Sequence, residues 1–335
     1  MGMASGASGR SRSQAMILAV VLLLLLGCGS TWQAHGSHRM HVSPVNSTLQ
    51  YMQIEGTEVL WQRPPHPKAA LFLAHGCSHS ATDWWEKSEY CPDCIGLPEE
   101  MAIVKAALGR GYLPIAVSSQ DRHFSRCWTE DDERPVKHVI REVLSREGLQ
   151  RLPLFALGAS SGGSFLPVLA QGLNFTGLCI QIMATHPDLL SASFPPTVFV
   201  HMPRDSYTAR RLQSNVQKLK QQEIPVREYQ QSPLPLSARF FSDRIPSLAP
   251  ALSQRIFAAL TKADYLTETG ELHTDPRRSE WRQVLQGAIP ELKDVNLEAD
   301  ESSISEVMNV AWASHEITSE FIAQTLRFFD LFLHR

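Results

Sequence analysis

"LPLFALGASSGGSF", residues 152–165, runs from an apolar segment straight into Gly158-Ala159-Ser160-Ser161-Gly162-Gly163 and out again into "SFLPVLAQG". An apolar strand, a turn of small residues and a helix in immediate succession make a tight strand-to-helix corner. In such a corner glycines stand where side chains would clash, a serine hydroxyl is held out, and a backbone N–H aims at a developing oxyanion. The G-x-S-x-G triplet around Ser160 is weak evidence by itself, because a Gly/Ser turn capping a helix reads the same way. Its placement between a strand and a helix makes Ser160 the candidate nucleophile.

Working outward, short apolar strands alternate with amphipathic helices. "LQYMQIEGTEVLWQRP" (49–64) reads as a hairpin, and "AALFLAHG", "YLPIAVSS", "PLFALGA", "GLCIQIMA", "TVFVHM" and "IPVREYQQ" read as strands. Between them, "EEMAIVKAALGRG", "RPVKHVIREVLSREG", "SGGSFLPVLAQG" and "SYTARRLQSNVQKLKQQ" read as helices. Continuous apolar strands joined by helices predict a parallel sheet covered on both faces. No internal repeat interrupts the pattern.

A serine at its ordinary pKa attacks poorly, so a base and a group to orient it must follow. Asp205, in "PRDS" after "TVFVHM", lies at the C-terminal end of a strand, where open parallel sheets keep their sites. It also stands directly before a helix and reads equally as an N-cap, with Asp188 and Asp243 as rival acids. His315, in "ASHEITSE" ahead of a long C-terminal helix, is the candidate base, and His273 in "GELHTDPRR" is its competitor. The interval from Asp205 to His315 is more than twice that from Ser160 to Asp205. The excess, about residues 237–304, is expected to form a helical cap, with Phe240, Phe241, Tyr265 and Trp281 as candidate pocket aromatics.

These motifs, "AHGCSH" after the third strand, "GASSGG" at the corner, "PRDS" and "SHEITSE", resemble those of α/β-hydrolase-fold serine hydrolases of the esterase type. The resemblance runs from about residue 48 to the C-terminus. It implies an α/β fold with a mostly parallel sheet of about eight strands, helices on both faces and a helical cap insertion. It implies a Ser160–Asp205–His315 triad that hydrolyses a carboxylic ester through an acyl-enzyme, with no metal or organic cofactor and a small-molecule or acyl substrate. The oxyanion hole falls to the amides of Cys77 and Ser161, with Ser78 an alternative to Cys77, since the loop lacks a three-glycine motif. His75, Gly76 and Ser78 of that loop, and Arg122 and Trp128 of "SSQDRHFSRCWTEDDERP" (118–135), are the candidate substrate contacts. A peptidase or acyltransferase of the same fold, or a non-catalytic binding module, is the alternative.

The first 29 residues hold Arg10, Arg12 and the apolar run "AMILAVVLLLLLGCG", which reads as a secretory signal peptide or an uncleaved signal anchor. "LLGC" also has the form of a lipobox. A flexible segment, 30–47, is expected to lead into the domain, 48–335. Sequons at Asn46 and Asn174 agree with a secreted, lumenal or membrane-anchored glycoprotein. Of Cys77, Cys91, Cys94, Cys127 and Cys179, a disulfide is expected to involve Cys91, Cys94 or Cys127, leaving Cys77 or Cys179 as an odd thiol. With 31 basic and 34 acidic residues and a net charge of −3, the chain has no basic surplus for a phosphate backbone, and nucleic acid is excluded as a partner.

Overall fold

The computed structural model describes residues 48–334. The leader, the 30–47 segment and the Asn46 sequon lie outside the described residues. Eight strands make one sheet: β1 (Leu49–Ile54), β2 (Thr57–Gln62), β3 (Ala69–Ala74), β4 (Tyr112–Val117), β5 (Leu154–Ala159), β6 (Phe175–Gln181), β7 (Thr197–His201) and β8 (Val226–Gln230). Their order is β1-β2-β4-β3-β5-β6-β7-β8. β1 and β2 form an antiparallel hairpin through Glu55-Gly56, both at positive φ, as a tight two-residue turn demands. β2 meets β4 antiparallel, and every pairing from β4 through β8 is parallel.

The central strands β3, β4 and β5 are buried at every position. Alternate residues feed opposite faces: Phe72 and Ala156 enter one apolar cluster, while Leu71, Leu73, Phe155 and Leu157 enter the other. Both faces are therefore apolar and both need helices. On the first lie α2 (Glu133–Arg146), α3 (Ser161–Leu169) and α4 (Ser206–Gln221); on the second lies α1 (Pro98–Gly109). In α2 the buried Val136, Val139, Ile140 and Val143 recur at helical spacing, and each such side chain contributes roughly 1.5–3 kcal/mol on burial. The result is the α/β-hydrolase architecture expected from the sequence.

Between β8 and His315 the chain forms α5 (Phe240–Arg244), α6 (Pro250–Lys262), α7 (Trp281–Ala288) and α8 (Ser303–Trp312). These helices share an apolar cluster of their own. Phe240, Phe241 and Trp281 are buried in it and Tyr265 packs against it, and none of the four lies in the wall of the cavity beside Ser160. The C-terminal helix is shorter than its amphipathic pattern suggested: α9 (Ile322–Asp330) begins seven residues after His315, because "SHEITSE" is consumed in anchoring the loop before it. α9 covers the same sheet face as α1, through Leu326 and Phe329.

Two disulfides, Cys77–Cys127 and Cys91–Cys94, account for four cysteines, and buried Cys179 is free. Cys77 is thus a bridge residue, and Cys179 is the odd thiol. Among the described residues no helix is long and apolar enough to cross a membrane, and no cluster of histidine, cysteine and carboxylate side chains is arranged to hold a metal.

Candidate active site

Ser160 follows β5 with φ 53° and ψ −117°, a region that only glycine enters without strain. Neighbouring backbone enforces it. The Ser160 amide donates to the Gln181 carbonyl at 3.0 Å, and α3 approaches so closely that a Cβ on Gly162 would lie 2.4 Å from the Ala74 carbonyl oxygen. A Cβ on Gly158 would lie 2.6 Å from the Gly162 carbonyl oxygen. The glycines of the motif are therefore required by contact between β3, β5 and α3.

The held-out hydroxyl meets the chain's other two candidates. Ser160 Oγ lies 2.9 Å from His315 Nε2, and His315 Nδ1 lies 2.8 Å from Asp205 Oδ2. With Nδ1–H donating to the carboxylate, Nε2 is left to accept from the serine. Asp205 is also the N-cap of α4, its Oδ1 accepting from the Thr208 amide at 3.0 Å. The same carboxylate thus caps the helix and hydrogen-bonds His315. Partial burial opposes its ionisation, but hydrogen bonds from His315 and Thr208 prevail and hold the carboxyl below its ordinary range. Asp188 is exposed beside His186, Asp243 pairs with Arg239, and His273 faces Asp264. None of these three joins the chain.

The His315 loop is latched from several sides. Ala313 ends α8 in the left-handed region at φ 56°. Arg277 donates to the His315 carbonyl at 3.1 Å and to Glu316 Oε2 at 2.6 Å. Gln181 accepts from the Thr318 amide and donates to the Thr318 carbonyl. Buried Glu99 accepts from the amide and hydroxyl of Ser319 and pairs with Arg244. Arg277 and Arg244 both come from the insertion, so that region anchors the loop. Sequence reasoning missed all four latching residues. Only Gln181, a polar residue inside the apolar run "GLCIQIMA", left a readable signal.

A cavity of about 370 Å³ opens beside Ser160, with Gly76, Cys77 and His315 in its wall. Ser161 begins α3, so its amide has no carbonyl one turn back, and the Cys77 amide has no acceptor among the described residues. The Ser78 amide is committed to the Ser125 carbonyl at 2.8 Å, which removes Ser78 as an oxyanion donor and from the cavity wall. The Cys77–Cys127 bridge ties this loop to the 118–135 loop. Asp121 shapes that second loop by accepting from the amides of Phe124, Ser125 and Arg126, and these bonds keep its carboxyl well below the carboxylate range.

Three expected substrate contacts lie elsewhere. His75 is wholly buried, with Nδ1 2.6 Å from the Gly76 carbonyl and Nε2 accepting from the Ser119 amide at 3.0 Å. Trp128 donates to the His75 carbonyl and stacks on Phe165 in the core. Arg122 is bound to Glu58 of β2 at 2.8 Å. These residues found the loop and do not face the cavity, because a buried polar group must spend its hydrogen bonds internally.

His79, by contrast, reaches the cavity wall, and its environment favours the protonated ring. Burial opposes its charge, but the hydrogen bond at 2.9 Å and the charge of Asp83 raise it to about 10. Burial dominates at His75 and pushes it down to about 3. The two histidines therefore bias stability in opposite directions. His75 stays neutral when folded and protonates when unfolded, so its contribution is lost as pH falls from about 6.5 toward 3. His79 keeps its proton when folded, so its contribution is full below about 6.5 and is lost between there and about 10. Replacing His79 with Gln should flatten the decline of unfolding free energy over that alkaline window; chemical denaturation of both proteins across pH 6–10 checks it. An unchanged slope would mean that His79 is neutral.

No protein-family model matches the chain, and no curated protein matches it significantly. Solved structures do. The Mesorhizobium loti carboxylesterase aligns over 54% of this chain and 88% of its own, at 13% identity and a TM-score of 0.42. The Pyrococcus furiosus esterase Pf2001 aligns over 55% and 81%, at 12% identity and 0.41. The chain is a distant structural match to α/β-hydrolase-fold esterases. A further α/β hydrolase, MGS-M1 from a Medee basin deep-sea metagenome library, aligns over 65% of this chain and 97% of its own, at 14% identity and 0.41.

Proposed function

We propose that the protein is a serine hydrolase that cleaves a small carboxylic ester through a Ser160 acyl-enzyme. The observation that carries this reading is the continuous relay from Ser160 Oγ through His315 to Asp205, at 2.9 and 2.8 Å, on a strained corner that opens to a cavity. His315 Nε2 takes the serine proton as Oγ bonds to the ester carbon. The oxyanion of the tetrahedral intermediate is received by the amides of Ser161 and Cys77. His315 then protonates the departing alkoxide, and a water activated by the same nitrogen releases the acid. Asp205 keeps the imidazole oriented and stabilises its transient charge.

The insertion supplies Arg277 and Asp275 to the cavity wall, the position from which a cap restricts the access of water. The two disulfides support folding in an oxidising compartment, in keeping with an apolar leader that directs the chain into the secretory pathway or anchors it there.

Fluorophosphonate labelling of the folded chain tests the reading. Wild type should label at one site and folded Ser160→Ala and His315→Ala should not. A folded wild type that neither labels nor turns over any ester would leave a binding module with an inert serine. Arg277 adds a positioning test. Arg277→Met frees the His315 carbonyl and leaves Glu316 buried without its cation, so kcat should fall about 10- to 100-fold with a smaller change in KM. Arg277→Lys, which keeps the charge but loses the two-pronged donor, should recover only part of it. A change confined to KM would reassign Arg277 to substrate contact.

A further inference from the structure

The cavity beside Ser160 holds more carboxylates than its cations can neutralise. His79, Arg277 and Arg278 are the cations in its wall. Each is engaged: His79 with Asp83 at 2.9 Å, Arg277 with Glu316 at 2.6 Å, and Arg278, largely exposed, with Asp275 at 3.9 Å. Two wall residues then remain, Asp300 and Glu100. The ion-pair contact of Asp300 is with His79 Nε2 at 3.8 Å, on a ring whose other nitrogen Asp83 already holds.

Glu100 is the more telling of the two. It sits in the first turn of α1, is only 1% exposed, and its Oε2 receives no N–H or hydroxyl donor. Beside it stands a second carboxyl, Glu306 of α8, equally buried, whose Oε2 accepts from the Glu99 amide at 3.1 Å and whose Oε1 is likewise without a donor. Side by side, two buried carboxyls cannot both ionise without mutual repulsion. Burial first, then the neighbouring carboxyls, raises both groups, Glu306 well above its ordinary range and Glu100 to about 7. The α1 N-terminus favours an acidic residue at this position. A dipole does not account for burying that residue against another carboxyl in a cavity wall, where each desolvated charge is costly unless paired.

We propose that this cavity selects esters bearing a compact ammonium group, which seats against Glu100 and Asp300 while the ester carbonyl lies at Ser160. The inference rests on the serine hydrolase reading, because it names the substrate class of the same site. The ammonium supplies the charge and the N–H donors that Glu100 lacks, and a neutral isostere leaves that carboxylate buried and unpaired.

Two matched pairs of esters test it with the full chain. In phenyl 3-aminopropanoate and phenyl butanoate the acyl ends differ only as ammonium and methyl. 3-Aminopropyl acetate and butyl acetate make the same comparison on the alcohol side. In at least one pair, kcat/KM for the cationic member should exceed that of its neutral isostere by about tenfold or more, and Glu100→Gln should bring that ratio close to one. Asp300→Asn, at a side chain 35% exposed, should lower the same ratio several-fold and serves as the test if Glu100→Gln does not fold. A wild type that labels with fluorophosphonate and cleaves both neutral esters, yet shows no preference for either cation, overturns the proposal and leaves the hydrolase intact. A ratio that neither variant changes overturns it as well. A wild type that does not label and cleaves nothing removes the hydrolase reading itself.

Discussion

Ser160→Gly and Ser160→Ala should both be inert, with kcat/KM at least about ten-thousand-fold below wild type, yet the glycine variant should be the more stable of the two. At an ordinary position glycine is the less stable residue by roughly 0.5–1 kcal/mol, because the unfolded chain gains freedom. At φ 53° and ψ −117° the order inverts. A Cβ in this region costs about 1–3 kcal/mol, so relief of strain outweighs the entropy and should leave glycine ahead by about 1 kcal/mol. Urea denaturation of the two variants measures the difference directly. Alanine proving the more stable would mean that the corner relaxes in solution, and the argument for a rigidly presented hydroxyl would weaken with it.

This inversion explains why the corner was legible in the sequence. Gly158 and Gly162 are imposed by backbone contacts at 2.6 and 2.4 Å, so local chemistry and tertiary geometry ask for the same residues. The same agreement made the central strands readable, since burial on both faces leaves no choice but an apolar run. Asp205 and His315 stood out as candidates because strand ends and chain order restrict where an acid and a base can stand, and the structure puts the two in contact.

The rest of the site was hidden because its residues act across long sequence separations. Glu99 and Ser319 are 220 positions apart, and Glu99 and Glu306 are 207 apart. Nothing in "LPEEMAIV" distinguishes two acids at a helix start from two acids buried near the Ser160 corner. The errors had a common source as well. Polar and aromatic residues near the expected site, His75, Arg122, Trp128 and the aromatics of the insertion, read as substrate contacts. Burial had already committed them to backbone partners, to Glu58 or to a packed core. Beside Gly76, Cys77 and His315, the cavity wall carries carboxylates and arginines that sequence alone would assign to solvent.

Asp205→Asn should separate the two duties that meet on one side chain. As an N-cap, asparagine accepts from the Thr208 amide as well as aspartate does, so stability at neutral pH should change by less than about 1 kcal/mol. Asp205→Ala, without a cap, should lose about 1 kcal/mol more. As the partner of His315, asparagine fails. Its amide group presented to Nδ1 makes that nitrogen an acceptor and moves the imidazole proton to Nε2, which then cannot take the proton of Ser160. Turnover should fall about a thousand- to ten-thousand-fold on the serine hydrolase reading, with fluorophosphonate labelling slowed in step. The acid side of the stability profile gives an independent check. The Asp205 carboxyl is held below its ordinary value in the folded chain. Its contribution is therefore present at neutral pH and fades as pH falls below the unfolded value of about 3.9. Asp205→Asn should remove that part of the acid limb. Loss of turnover with the cap and the neutral stability retained places Asp205 in the relay; equal losses of both would make it a helix cap that happens to stand beside a histidine.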